Sequence, residues 1–145
     1  MTRLAVEELI TTLVQPLTVE TTIRLLAVKP WLYFHNMPAG TFTMALKKDA
    51  ATIRQWQFTS TDARNAFGGS QQFFHVYLSL SGSPLIIYQG EYTLELSASG
   101  YTFGSSWVGW CKDWQGVVGK VEGQAADFTS FPYSFRILAS KGREQ

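Results

Sequence analysis

The sequence predicts an all-β fold: an antiparallel β-sandwich of the jelly-roll kind, with a short N-terminal helix or arm. Three observations predict it. Apolar residues alternate with period two in several short segments, as half-buried strands require. Clusters of Gly, Pro, Ser and Asn separate these segments, giving about seven or eight strands. Only the first segment carries a convincing helical stripe, so the crossover helices of a parallel sheet are missing.

Taken in order, residues 3–14 read as a helix. Val6, Leu9, Ile10 and Leu13 fall at i, i+3, i+4 and i+7, and Glu7 and Glu8 suit the positive end of its dipole. Pro16 stops it. Residues 1–16 are therefore read as a helix or attachment arm, 17–140 as the sandwich and 141–145 as a polar tail. Residues 18–28 read as one strand, with Val19, Thr21, Ile23, Leu25 and Ala27 on one face. Residues 31–35 continue as an apolar, aromatic run, and Asn36-Met37-Pro38-Ala39-Gly40 is a turn.

Residues 41–47 and 52–59 form a hairpin, with Phe42, Met44 and Leu46 on one face of the first strand and Trp56 and Phe58 on one face of the second. Residues 60–66 suit a single helical turn capped by Ser60 or Thr61. Residues 73–80 make a strong strand, with Phe74, Val76, Leu78 and Leu80 on one side and Phe73, His75, Tyr77 and Ser79 on the other. The second side is unusually aromatic, which marks a central strand or an interface. Residues 81–84 turn and 85–88 form a short apolar run. Residues 91–97 place Tyr92, Leu94 and Leu96 inward against Glu91, Thr93 and Glu95. The last strand is 131–138, where Tyr133, Phe135 and Ile137 alternate with Ser134 and Arg136.

Composition narrows the function classes. Apolar residues make up 46% of the chain and charged residues 16%, so part of the surface is expected to be covered by a partner or by self-association. A net charge of +1, from 12 basic and 11 acidic residues, gives no broad footprint for nucleic acid. Cys111 is the single cysteine, which rules out an intrachain disulfide; it reads as a small apolar residue. Glu7 and Glu8 interrupt any signal-peptide core, and no stretch approaches the ~20 apolar residues of a membrane span. Synthesis in the cytoplasm, with no membrane partner, is the expectation.

Catalytic patterns are missing. His35 and His75 have no neighbouring carboxylate or cysteine, and no HxH, HExxH, CxxC, GxSxG or phosphate-cradling glycine motif occurs. A glycosidase pair would have to come from Glu91, Glu95 and Asp113, of which the first two share the outward face of one strand. No dense acidic loop surrounds Asp49, Asp62 or Asp113 to hold calcium. A non-enzyme without metal or cofactor is expected.

The most informative cluster is Tyr101, Trp107, Trp110 and Trp114, with Lys112 and Asp113 among them. It has three readings: a closure of one end of the core, a protein interface, or a platform on which sugars stack.

Two segments, PAGTFTMALKKDAATIRQWQFTSTDA and GEYTLELSASGYTFGSSWVGWCKDW, resemble galactose-binding-like jelly-roll domains. The matching residues are Gly40, Phe42, Met44 and Leu46, then Gly90, Tyr92, Leu94 and Leu96. SGYTF together with GWCKDW is similar to small virion-associated β-sandwich proteins of tailed bacteriophages. The resemblance implies a non-catalytic structural or accessory subunit of a phage head, neck or tail. Such a subunit would assemble with other virion proteins, as a homo-oligomer or within a symmetric array. Val6, Leu9, Ile10 and Leu13 would then form its attachment helix. The alternative is a carbohydrate-binding module that recognises a host-surface glycan through Tyr101, Trp107, Trp110, Lys112, Asp113 and Trp114.

Overall fold

Alternating apolar residues build two packed, mostly antiparallel sheets, an all-β sandwich as the sequence predicts. The computed structural model describes residues 2–3, 12–68, 73–101, 105–110, 120–121, 124–125 and 135–141. In chain order the elements are β1 (Thr2–Arg3), β2 (Thr12–Val19), β3 (Ile23–His35), β4 (Thr41–Lys48), β5 (Ala51–Phe58) and α1 (Ser60–Phe67). They continue with β6 (Phe73–Tyr77), β7 (Leu80–Ile87), β8 (Gly90–Ser99), β9 (Trp107–Trp110), β10 (Lys120–Val121), β11 (Gln124–Ala125) and β12 (Phe135–Lys141).

The smaller sheet has the order β2-β8-β4-β5. Its inner face is the one read from the sequence: Phe42, Met44 and Leu46, Trp56 and Phe58, and Tyr92, Leu94 and Leu96 are all buried. On its outer face Lys47 pairs with Glu95 at 3.2 Å, and Thr18 donates to Glu91 at 2.8 Å.

The larger sheet is organised around β3, which has neighbours on both sides over most of its length. One side carries β7 and then β6; the other carries β12 and then β9. β1 extends the sheet beyond β9, and β10 lies parallel to β12 with β11 outside it. A bulge at Leu26 interrupts the pairing with both β7 and β12. It shifts the inward phase of β3 from Ile23 and Leu25 to Val28, Leu32 and Phe34.

The core lies between the sheets and is aromatic at one end. Phe34 stacks on Phe74 at 5.2 Å and meets Phe42 edge-on at 6.1 Å. The helix α1 plugs this end. Its cap is Thr59, which exchanges hydrogen bonds with Asp62 in a capping box, and Ser60 Oγ donates to the Pro38 carbonyl at 2.6 Å. Gly40, at φ +108°, has no room for a side chain: a Cβ there would lie 2.8 Å from the Ser99 carbonyl oxygen.

Several readings change. The helix expected over residues 3–14 is strand at both described ends: Arg3 pairs with Gly109, and Thr12 to Val14 pair with β8. Leu13 is a buried strand residue, not part of a helical stripe. Val6, Leu9 and Ile10 lie outside the described residues. Leu13, Gln15, Leu17 and Val19 alternate inward, a period-two pattern that the longer helical spacing obscured. Pro16 does not end a helix. It sits in an edge strand of the smaller sheet, the place in a sheet where Pro is tolerated. The single strand read over 18–28 is broken at residues 20–22, where the chain passes from the smaller sheet to the larger. The turn read at 81–84 is a bulge inside β7. Gly82, Ser83 and Pro84 bow out opposite Leu26, and Arg54 donates to the Ser83 carbonyl from the facing sheet.

Candidate functional site

The outward face of the larger sheet gathers six polar-tipped rings. Past the bulge, β3 turns Trp31, Tyr33 and His35 outward between buried Leu32 and Phe34. On β6, His75 and Tyr77 point the same way because Phe74 and Val76 face the core. On β9, Trp107 faces out because Val108 faces in.

Strand register turns these residues into a ladder. Trp31 lies directly opposite Tyr77, and Tyr33 opposite His75. His35 lies opposite Trp107 on the other flank. Each cross-strand pair stacks: Trp31 on Tyr77 at 5.7 Å, Tyr33 on His75 at 4.3 Å, and His35 on Trp107 at 5.0 Å between ring centroids. Diagonal contacts join the pairs, with Trp31 5.7 Å from His75 and Tyr33 edge-on to Trp107 at 5.1 Å. Tyr33 stands opposite Gly109, which has no side chain to compete for the space above that strand. Its hydroxyl lies 3.3 Å from His35 Nδ1, within hydrogen-bond reach.

His75 is exposed; Trp31, Tyr33, His35, Tyr77 and Trp107 are half-buried. Desolvation by its surroundings lowers the His75 pKa from its ordinary value. Every described ring in the ladder carries an N–H, O–H or ring nitrogen. Most described phenylalanines behave differently: Phe34, Phe42, Phe58, Phe74 and Phe135 are buried in the core, while Phe67 on α1 is exposed. The surface is thus a row of flat apolar bodies with hydrogen-bonding groups at their rims.

The cluster picked out in the sequence is divided by the fold. Trp110 is fully buried and Tyr101 nearly so, with the Tyr101 hydroxyl accepting the Val108 amide N–H at 3.2 Å. Those two residues close the core. Trp107 alone among the described members faces outward, three residues from Trp110 and so on the opposite side of β9. Lys112, Asp113 and Trp114 lie outside the described residues. The signal for the ladder was present in the sequence as aromatics at i, i+2 and i+4 in 31–35 and at 75 and 77.

Glu91 and Glu95 stand on the outer face of the other sheet, engaged with Thr18, Thr93 and Lys47. Among the described residues no group of three or more His, Cys, Asp or Glu side chains is placed to hold a metal ion. No helix among them is long and apolar enough to cross a membrane. Comparison with protein-family models, with curated proteins and with solved structures finds no match.

Proposed function

We propose that this domain works by binding, without catalysis, and that its ligand is a carbohydrate held on the outer face of the larger sheet. The observation that carries this reading is the ladder itself: Trp31, Tyr33, His35, His75, Tyr77 and Trp107 arranged in contact on the outward face of one sheet. Sugars present apolar C–H faces ringed by hydroxyls. A surface of flat rings with polar rims complements both features at once. A sheet also holds its side chains in fixed register, so little ordering is needed on binding. The platform is moved from the 101–114 loop to the sheet, with Trp107 common to both. A place in a phage particle, the first expectation from the sequence, rests on the resemblance, the missing catalytic motifs and the low charge.

The test is affinity electrophoresis of the full chain through gels containing a panel of soluble polysaccharides, beside Trp31→Ala and Tyr33→Ala. Retardation by at least one polysaccharide is expected. Each substitution should weaken it about tenfold or more, the loss of one well-packed aromatic contact. A folded wild-type protein that migrates unretarded through every gel would sink the carbohydrate reading.

A further inference from the structure

Among the described residues one buried side-chain donor has no hydrogen-bond partner: the indole Nε1 of Trp56. Buried polar groups are paired almost throughout native proteins, so this one calls for an explanation.

Its surroundings supply one. Arg54 and Trp56 are two residues apart on β5 and leave the same side of the strand, toward the larger sheet. Arg54 reaches that sheet and donates to the Ser83 carbonyl in the bulge of β7. Gly82, next to Ser83, is exposed and has no side chain. A Cβ placed on it would lie 3.3 Å from Arg54 Nη1 and 3.9 Å from Trp56 Nε1, and its three nearest heavy atoms would all belong to those two side chains. The position above Gly82 is thus a notch with a guanidinium and an indole N–H on its walls. It opens at the side of the sandwich, because β5 ends the smaller sheet and β7 pairs only with β3 among the described residues.

Both walls are donors, and neither group can accept a hydrogen bond. An occupant made only of acceptors suits the notch better than water, which must place two hydrogens as well. The guanidinium adds charge and a planar fork that matches a carboxylate. We infer that this notch is a carboxylate-binding site, in which the ligand pairs with Arg54 and accepts the Trp56 Nε1–H. Trp56 Nε1 is buried while Arg54 rests on Ser83, so binding turns the guanidinium from that carbonyl to the ligand. Ser83 is exposed, and water takes the vacated carbonyl. The site is separate from the ring ladder on the outward face of the larger sheet and does not rest on the carbohydrate reading.

The test follows the indole N–H signals of the full chain by proton–nitrogen NMR, with the Trp56 signal identified by its loss in Trp56→Phe. Acetate should shift that signal saturably, and acetamide, its neutral counterpart, should not. Arg54→Gln should weaken the acetate response about tenfold or more, the worth of a charge-assisted hydrogen bond. Gly82→Ser should fill the notch and abolish the response with the fold intact, since Gly82 has no positive φ and the nearest atom is the tip of the flexible Arg54 side chain. Trp31→Ala, on the ladder, should leave the response unchanged. A blocked peptide of threonines with one central glutamate separates two sources of the carboxylate. Binding tighter than acetate assigns it to a chain segment lying along the free edge of β5, and binding no tighter assigns it to a small acid. A Trp56 signal unmoved by acetate, moved equally by acetamide, or as responsive in Arg54→Gln would overturn the site. Phosphate or sulfate binding tighter than acetate would overturn the carboxylate in favour of a tetrahedral oxyanion.

Discussion

Asp49 and Ala50 form the two-residue loop of the β4–β5 hairpin, with φ of 51° and 68°. Two positive angles in succession match the turn whose twist suits a hairpin, and Gly is the favoured second residue there. Ala50 has a Cβ that this backbone region disfavours. Ala50→Gly is expected to raise stability by about 0.5–1 kcal/mol after the entropy cost of glycine, seen as a higher urea midpoint at unchanged m. His75 offers a second test at this scale. Its folded pKa lies below its ordinary value of 6.5 because burial disfavours the charged ring. As pH falls through about 6.5 the unfolded chain takes up this proton first, so the contribution is complete above that pH and declines below it until the folded ring also protonates. Thermal melts from about pH 7.5 to about pH 5 should show a falling Tm, and a smaller fall in His75→Phe, which keeps a ring against Tyr33. An equal fall in both proteins would assign the dependence to other groups.

The ladder belongs to the scale of elements, because no single strand contains it. Trp31 and Tyr77 are 46 residues apart and become neighbours only through the β3–β6 register. A double-mutant cycle on Trp31→Ala and Tyr77→Ala should give a coupling of about 0.5–1.5 kcal/mol in urea unfolding. A coupling near zero would mean that the rings share a face without supporting one another. The same distinction explains what was legible. Phe42, Met44 and Leu46, or Tyr92, Leu94 and Leu96, announce a buried face within one segment, and each is buried as read. The outward rings of 31–35 and 73–77 were visible as aromatics, but a sequence does not state which strands pair. Without the pairing, 31–35 reads only as an aromatic run and 73–80 as a central strand or an interface. The 101–114 cluster was compelling because it is contiguous, yet contiguity is what a strand divides: Trp107 and Trp110 leave β9 on opposite sides. The bulge at Leu26 was hidden for a related reason, since it is a property of β3 against both of its neighbours and not of β3 alone.

At the scale of the whole molecule the N-terminal residues test how the sandwich is held together. An attachment arm could be removed without harm to the domain, and the helical stripe of Val6, Leu9, Ile10 and Leu13 encouraged that view. The pairing of β2 argues otherwise. Leu13 is 4% exposed and Gln15 fully buried, with Gln15 Nε2 donating to the Pro16 carbonyl at 2.8 Å. Leu13 stands opposite Leu96 and Gln15 opposite Leu94, two of the most deeply buried residues of the smaller sheet. Deleting residues 2–15 would remove β1 and the first half of β2, uncovering that flank of β8. Losing one buried leucine side chain costs about 2–5 kcal/mol, against about 5–15 kcal/mol for the stability of a whole domain. The truncated chain is therefore expected to melt far below the full chain or without a cooperative transition, followed by circular dichroism and by the near-ultraviolet signal of buried Trp56 and Trp110. A truncation that melts like the full chain would show that the smaller sheet closes its core with β8 as its edge.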